Sequence, residues 1–396
     1  MTTELLYWIA VLIPLIIVPI VLPMVVLLAR RKRLTDSPNA RKTQESPVAV
    51  MGGTVIMLTV SVTSIIINLF YHLGDLYPAL CVMFILYIFG MLDDTIGLSW
   101  NFKMGLQILA ILLLYFGGSY GVNSMFGLFG LGTLSWWFSL ICTLFTGLLM
   151  LNAVNFTDGI DGLASGLGLL GAIVMGYWSI RHGFIIQALV SCIMIGTLFS
   201  FFVFNVFSKR YKMYMGDSGS LTLGLFIYMS VCPDSYYFLD NTFIVDKYFV
   251  SFLLALFSAM IFDTLRVVIV RILKGKSPFQ PDRTHLHHIY VDAGMSHLLA
   301  TNKIILNNIA VLLAWYGTAV MEWNSSLQYI VVFLAGVLFI WGPYFFLTYC
   351  KEKNRRLYAL ILKRCLRRSR ALNGFYNFIN HLIDDTRAPS MSHSIK

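Results

Sequence analysis

The sequence predicts an all-α integral membrane protein: a polytopic helical bundle of about eleven transmembrane helices, N-terminus outside and C-terminus cytoplasmic. Three observations carry that reading. Hydrophobic residues make up 58% of the 396-residue chain and charged residues 12%, where a soluble domain carries about 25% charged residues. The apolar residues form long uninterrupted runs, many near the ~20 residues that span a bilayer as a helix. Lys and Arg gather in alternate loops between those runs, which sets orientation.

The runs place spans at about 5–29, 52–70, 77–91, 104–116, 136–151, 163–180, 184–206, 220–232, 249–270, 304–320 and 327–348. The fourth and eighth are short, as tilted or broken segments are. With the N-terminus outside, the first inner loop holds Arg30, Arg31, Lys32, Arg33, Arg41 and Lys42, the second Lys103, and the third inner basic cluster is Lys209, Arg210 and Lys212. Arg271, Lys274, Lys276, Arg283 and Lys303 follow in the next inner loop, and the tail is richer still. Of 29 Lys and Arg, only Arg181 and Lys247 fall in outer loops, and Arg266 lies within a span. The first run has no basic residue ahead of its apolar core and is followed by RRKR, which reads as an anchor and not a cleaved leader.

Residues 1–348 thus form a membrane-embedded domain and 349–396 a cytoplasmic basic tail. Much of the net charge of +10 sits in that tail, where residues 351–370 interleave nine Lys and Arg with Leu, Ile and Tyr. This is the pattern of an interfacial helix on anionic lipid, and so close to the membrane it argues against a nucleic-acid partner. The six cysteines have no CxxC spacing and lie mostly in spans, so they read as small apolar residues without a disulfide or metal framework.

The polar clusters all fall on the inner side: SPNARKTQESPVAVMGG (37–53), MLDDTIGLSWNFK (91–103), NAVNFTDGIDGLASG (152–166), FNVFSKRYKMYMGDSGS (204–220) and FDTLRVVIVRILKGKSPFQPDRTHLHH (262–288). Asp93 and Asp94 end the third span. Adjacent carboxylates raise each other's pKa unless a cation neutralises them. They read either as a solvated helix end or as a hard-oxygen site for Mg²⁺, which takes one or two carboxylates plus substrate phosphates. In MGDSGS, Asp217 sits in a Gly-rich turn leading into a span. Such a turn either cradles phosphate with a metal beside it or simply caps the helix.

His285, His287 and His288 follow Arg283 within six residues, too closely spaced for a zinc set without further ligands. They suit donors to phosphate or sugar oxygens. Asp263 and Arg266, at i,i+3 inside the ninth span, form either an intrahelical ion pair or part of a polar cleft. The segment DGIDG lacks the remaining ligands of a calcium loop, so Asp158 and Asp161 need another explanation.

Taken together, the RK…GG segment, the DD pair, NxxNxxDGxDGLA, the GDxGS turn and PDRxHxHH occur in the order found in polyprenyl-phosphate N-acetylhexosamine-1-phosphate transferases. Most of residues 30–290 resembles that family. DTLRV followed by SPFQPDRTHLHH resembles the branch that starts O-antigen, common antigen, teichoic acid or capsule synthesis. The peptidoglycan branch, phospho-MurNAc-pentapeptide transferase, typically has a consecutive HHH run. This chain departs from many relatives at Gln44 and Val50.

The resemblance implies a bundle with a cytoplasmic cleft in the bacterial inner membrane. It implies transfer of a sugar-1-phosphate from a UDP-sugar to undecaprenyl phosphate, with UMP released, Mg²⁺ (or Mn²⁺) required, and a homodimer. It assigns Asp93 and Asp94 as the catalytic pair and Asp217, with help from Asp94, as the magnesium site. Asn152, Asn155, Asp158 and Asp161 fall to the nucleotide, with Asp158 the one expected to contact it, and His285, His287 and His288 to phosphate. Lys42, Asn205, Asp263, Arg266 and Arg283 complete the substrate-binding set. The sugar is left open between GlcNAc, GalNAc and related amino sugars. A transporter or flippase would instead concentrate its acids near the midplane, and a scaffold would need no such clusters.

Overall fold

A computed structural model describes residues 2–36, 47–118, 120–232, 248–277 and 283–384. In chain order the elements are α1 (Thr3–Arg31), β1 (Thr35–Asp36), β2 (Val48–Val50), α2 (Gly52–Asn68), α3 (Tyr77–Ile96) and α4 (Trp100–Gly117). There follow β3 (Ser124–Leu128), β4 (Leu131–Thr133), α5 (Trp136–Thr157), α6 (Leu163–His182), α7 (Ile185–Phe207), β5 (Met213–Tyr214) and α8 (Gly216–Val231). The chain ends with α9 (Phe249–Leu256), α10 (Ser258–Leu273), α11 (Leu286–Asp292), α12 (His297–Val320), α13 (Ser325–Lys353), α14 (Arg355–Ala371) and α15 (Asn373–Asp384).

Each apolar run that the sequence marks as a span is helical. Among the described residues 8 helices are long and apolar enough to cross a membrane, or 9 if the pair α9 and α10 is one span. Helix α2 has 17 residues and α8 has 16. Helix α1 buries Leu6, Ala10, Pro14, Val18, Leu22, Val26 and Ala29, steps of four closing on a step of three that make one stripe, and that stripe packs on α7. In α7 72% of the apolar stretch is buried, against 22% in α4, so α7 is central and α4 lies at the rim.

Two features differ from the sequence reading. The ninth run, expected as one span over 249–270, is two helices bent by 75° at Phe257. A break at that depth frees backbone groups that lipid cannot satisfy, and Asn308 of α12 satisfies them. Its Oδ1 accepts from Ala259 N (2.8 Å) and Ser258 Oγ (3.0 Å), and its Nδ2 donates to Leu256 O (2.8 Å). No Pro or Gly marks the position in the sequence, because the break is held from another helix.

The second difference is a set of short strands in a chain read as all-α. Strand β2 pairs antiparallel with β1 (Thr35 opposite Ala49) and parallel with β5 (Ala49 opposite Met213). Strands β3 and β4 form a hairpin between α4 and α5. Segments of two to five residues are too short for a period-2 signal. The three-stranded sheet pairs backbone groups of the first and fourth polar clusters and so draws those clusters together.

Helix α8 is the hub of the site. A methyl group added at Gly90 in α3 would fall on Ser218 Cα, so only glycine lets α3 cross the start of α8 this closely. That crossing sets Asp93 and Asp94, one turn beyond Gly90, against the N-terminus of α8.

Candidate active site

Asp94 faces the first backbone N–H groups of α8. Its Oδ1 accepts from Asp217 N (2.8 Å), and its Oδ2 accepts from Ser218 N (3.1 Å) and Ser218 Oγ (2.9 Å). A carboxylate there satisfies orphan helix donors and complements the helix dipole. The cap of α8 thus comes from α3 and not from Ser218 or Asp217 themselves. Its effect is to fix the backbone that carries Asp217.

Asp93, Lys103 and Asp217 form the centre of the site. The Lys103 ammonium of α4 donates to Asp93 Oδ2 and to Asp217 Oδ2 (3.1 Å). Asp93 Oδ1 accepts from Leu98 N (2.7 Å), and Asp217 Oδ1 accepts from Asn155 Nδ2 (3.0 Å). Asn155 also donates to Ser220 Oγ (2.9 Å), and Asn152 Nδ2 donates to Gln107 Oε1 (2.7 Å). The sequence assigned Lys103 only to topology. As one lysine in a basic inner loop it carries no signal of its own, and only the α3–α4 turn brings it between two acids.

The loop 158–162 forms the next wall. Asp158 accepts a hydrogen bond from the Gly216 backbone, but burial, and then the nearby charges of Asp217, Asp94 and Asp161, push its pKa well above the ordinary carboxylate value. Asp161 goes the other way. Burial alone would raise its pKa, but the His297 hydrogen bond (2.8 Å) and the Lys212 ammonium (2.6 Å), both on Oδ2, outweigh it and hold it low. Asn205 pins the same loop: its Oδ1 accepts from Gly162 N (2.6 Å) and its Nδ2 donates to Met213 O (2.7 Å). Asp161 and Asn205 are therefore held by protein partners, while among the described residues no cationic side chain pairs with Asp158.

The histidine run divides. His285 Nδ1 donates to Asp263 Oδ2 (2.9 Å), and Asp263 Oδ1 accepts from Arg266 (2.6 Å) and Leu286 N (3.1 Å). Arg266 also donates to Thr284 O (2.7 Å), and its guanidinium lies 3.5 Å from the centre of the Tyr344 ring. Asp263 and Arg266 thus form an ion pair that also anchors the start of α11. His287 is buried, and its neighbour His288 is half-buried; burial first, then the adjacent His288 and His285 rings for His287 and the Arg283 guanidinium for His288, lower both pKa values, His288 to about 4. Both are neutral at pH 7. Arg283 pairs with Asp292 (3.1 Å) and stays exposed. Lys42 lies outside the described residues.

Two cavities meet at Asp217. One, of about 300 Å³, is walled by Leu86, Phe89, Trp100, Leu106 and Phe156, with Asp93, Lys103 and Asn155 at its polar end. The other, of about 820 Å³, is lined by Asp94, Asp158, Asp161, Arg33, Arg283 and His288 among others. Asp263, Arg266, His285 and His287 line neither. Among the described residues no three Asp, Glu, His or Cys side chains converge tightly enough to cage a metal ion.

Residues 76–232, which include Asp93, Asp94, Lys103, Asn155, Asp158 and Asp217, match the family described as glycosyl transferase family 4. The undecaprenyl-phosphate alpha-N-acetylglucosaminyl 1-phosphate transferase of Escherichia coli strain K12 is 29% identical over 357 residues, covering 86% of this chain and 90% of its own length. The protein of the same name from Yersinia pestis is 29% identical over 351 residues, 85% and 89% of the two chains. The decaprenyl-phosphate N-acetylglucosaminephosphotransferase of Mycolicibacterium smegmatis is 30% identical over 293 residues, 68% of this chain and 71% of its own. Similarity that extends over most of both chains and contains the residues assembled around Asp217 places this chain in glycosyl transferase family 4.

Proposed function

We propose that the protein transfers N-acetylglucosamine 1-phosphate from its UDP-sugar to undecaprenyl phosphate, releasing UMP, as the first step of a lipid-linked cell-surface glycan. The observation that carries this reading is the meeting of two unlike cavities at one carboxylate, Asp217. The apolar cavity with a Lys103 end suits a prenyl chain ending in phosphate. The larger polar cavity suits a nucleotide sugar, with Arg33, Asp158, Arg283 and neutral His288 in its lining. The relatives' names supply the donor sugar and the acceptor class.

The reaction joins an oxygen of the lipid phosphate to the β-phosphorus of the donor and breaks the bond from that phosphorus to the bridging oxygen, which leaves with UMP. Phosphoryl transfer of this kind is mostly positioning and charge neutralisation. Lys103 supplies a fixed positive charge at the junction. A phosphate monoester has a second pKa near 6, so Asp93 has only a residual proton to accept. Both Asp93 oxygens are already hydrogen-bonded, to Lys103 and to Leu98 N, which favours a single displacement over attack by the carboxylate itself.

The sequence reading pairs Asp94 with Asp217 for Mg²⁺, or Mn²⁺ in its place. Because both Asp94 oxygens accept from the start of α8, the ion would instead be held by Asp217 and Asp93, with Asp94 fixing the Asp217 backbone. The donor set fits a magnesium ion, which needs one or two carboxylates beside water and substrate phosphates. When bound, the ion supplies charge neutralisation on the diphosphate. Eleven spans with the N-terminus outside, a place in the bacterial cytoplasmic membrane and a homodimer complete the proposal. The asymmetry of Lys and Arg supports the orientation.

Purified protein with undecaprenyl phosphate, Mg²⁺ and a panel of UDP-amino sugars should release UMP fastest with UDP-N-acetylglucosamine. No UMP with any donor would overturn the reading.

A further inference from the structure

The C-terminal helices α14 and α15 are docked on two turns of the inner face. On the first turn, Tyr358 Oη donates to Asp292 O (3.0 Å), beside Lys351 at the end of α13, whose Nζ donates to Asp292 Oδ2 (3.0 Å). Ser369 Oγ accepts from Ser296 N (2.9 Å) and donates to Gly294 O (3.1 Å). On the second, Asp384 accepts from Ser208 Oγ (2.6 Å), Lys209 N (2.9 Å) and Arg210 N (3.1 Å), and Asn380 Nδ2 donates to Phe207 O (2.8 Å). Each turn runs straight into one of the two side chains, His297 and Lys212, that donate to Asp161. Ser296 precedes His297, and Arg210 lies just before Tyr211 and Lys212. The two helices therefore bridge both clamps of the loop that carries Asp158.

The docked face of α14 includes Tyr358 and Ser369, with Leu362 and Leu366 against Gly294. Arg356, Lys363, Arg367 and Arg370 recur at helical spacing on the far side of Tyr358 and Ser369, all exposed, and no acid occurs between Arg355 and Ala371. Helix α14 begins one residue after Asn354 caps the end of α13, a helix long and apolar enough to cross a membrane, so its first turn starts at the bilayer surface. Helix α15 adds exposed Phe375, Phe378 and Leu382, spaced to share one face. A basic stripe followed by an exposed aromatic face is the chemistry of a helix lying on anionic lipid. A soluble acidic partner would account for the arginines but not for those exposed rings.

We propose that α14 and α15 form a strap that seats on anionic lipid headgroups and thereby fixes the two turns holding Asp161. The inference rests on the proposed function only in treating the Asp158 loop as part of the site. Each basic residue near such a surface favours the seated state by about fivefold (~1 kcal/mol), so the four-residue stripe acts as a strong lipid contact.

The test is backbone hydrogen exchange of the full-length protein in nanodiscs of phosphatidylcholine alone or mixed with phosphatidylglycerol. Amides of 158–163 and 208–212 should exchange at least about threefold more slowly in the anionic discs. The quadruple variant Arg356→Ser, Lys363→Ser, Arg367→Ser, Arg370→Ser should lose that difference. Asp384→Ala should speed exchange at 208–212 in both discs without touching the stripe. Equal wild-type exchange in the two discs, or an undiminished lipid effect in the quadruple variant, would overturn the strap. Because exchange needs no turnover, a missing UMP signal with intact lipid-dependent protection would count against the transferase reading alone.

Discussion

Replacing Lys103 with Met tests the centre of the site. The ammonium touches Asp93 Oδ2 and lies 3.1 Å from Asp217 Oδ2. Coulomb's law at an effective dielectric near 20 gives about 5 kcal/mol for a pair at the 3.1 Å separation. The Lys103 and Asp217 side chains are 35% and 32% exposed, so solvent screening removes about half of that. Some ~2–3 kcal/mol remains, equivalent to roughly 30- to 150-fold in rate if the charge also acts on the transferring phosphate. Methionine keeps the length and apolar stem and removes only the charge. In a UMP-release assay, Lys103→Met should lower kcat by that factor. It should also lower the Mg²⁺ concentration needed for half-maximal rate, because the two carboxylates lose a competing cation. A kcat within about threefold of the parent, or a higher Mg²⁺ requirement, would refute this reading of Lys103.

Two further expectations concern Asp158 and Asn308. The raised pKa of Asp158 means that its neutral form is favoured by folding, a contribution fully present below the ordinary value of 3.8 and lost as pH rises through the raised folded-state value. Asp158→Asn should therefore melt progressively higher than the parent as pH increases, in the absence of substrate and divalent ion. A melting difference that is flat with pH would count against it. Asn308→Leu strands Ala259 N–H and Leu256 C=O at the bend, at about 1–3 kcal/mol for each unsatisfied group. Thermal unfolding in detergent should fall by several degrees, and an unchanged midpoint would show that the bend does not depend on Asn308.

The sequence carried the helical bundle and the gathering of the polar loops because both are written in composition: apolar runs of spanning length and motifs in the polar loops between them. It could not carry the bend at Phe257, which depends on Asn308 some fifty positions away and on no local breaker. Nor could it rank the acids. DD and DGIDG look symmetric as strings, yet Asp94 caps α8 while Asp93 meets Lys103, and Asp161 is clamped by Lys212 and His297 while Asp158 accepts from the Gly216 backbone. Such asymmetry comes from which neighbouring helix supplies a donor. The three histidines divide for the same reason, since Asp263 reaches His285 alone.

The most direct test of the transfer at the Asp217 junction uses UDP-N-acetylglucosamine carrying radioactive phosphorus at the β-position, undecaprenyl phosphate and Mg²⁺. The label should move into the organic-soluble lipid while unlabelled UMP accumulates, and no exchange of UMP into UDP-N-acetylglucosamine should occur before the lipid is added. Label that stays in the aqueous phase as UMP, free phosphate or unreacted donor would contradict the proposed reaction.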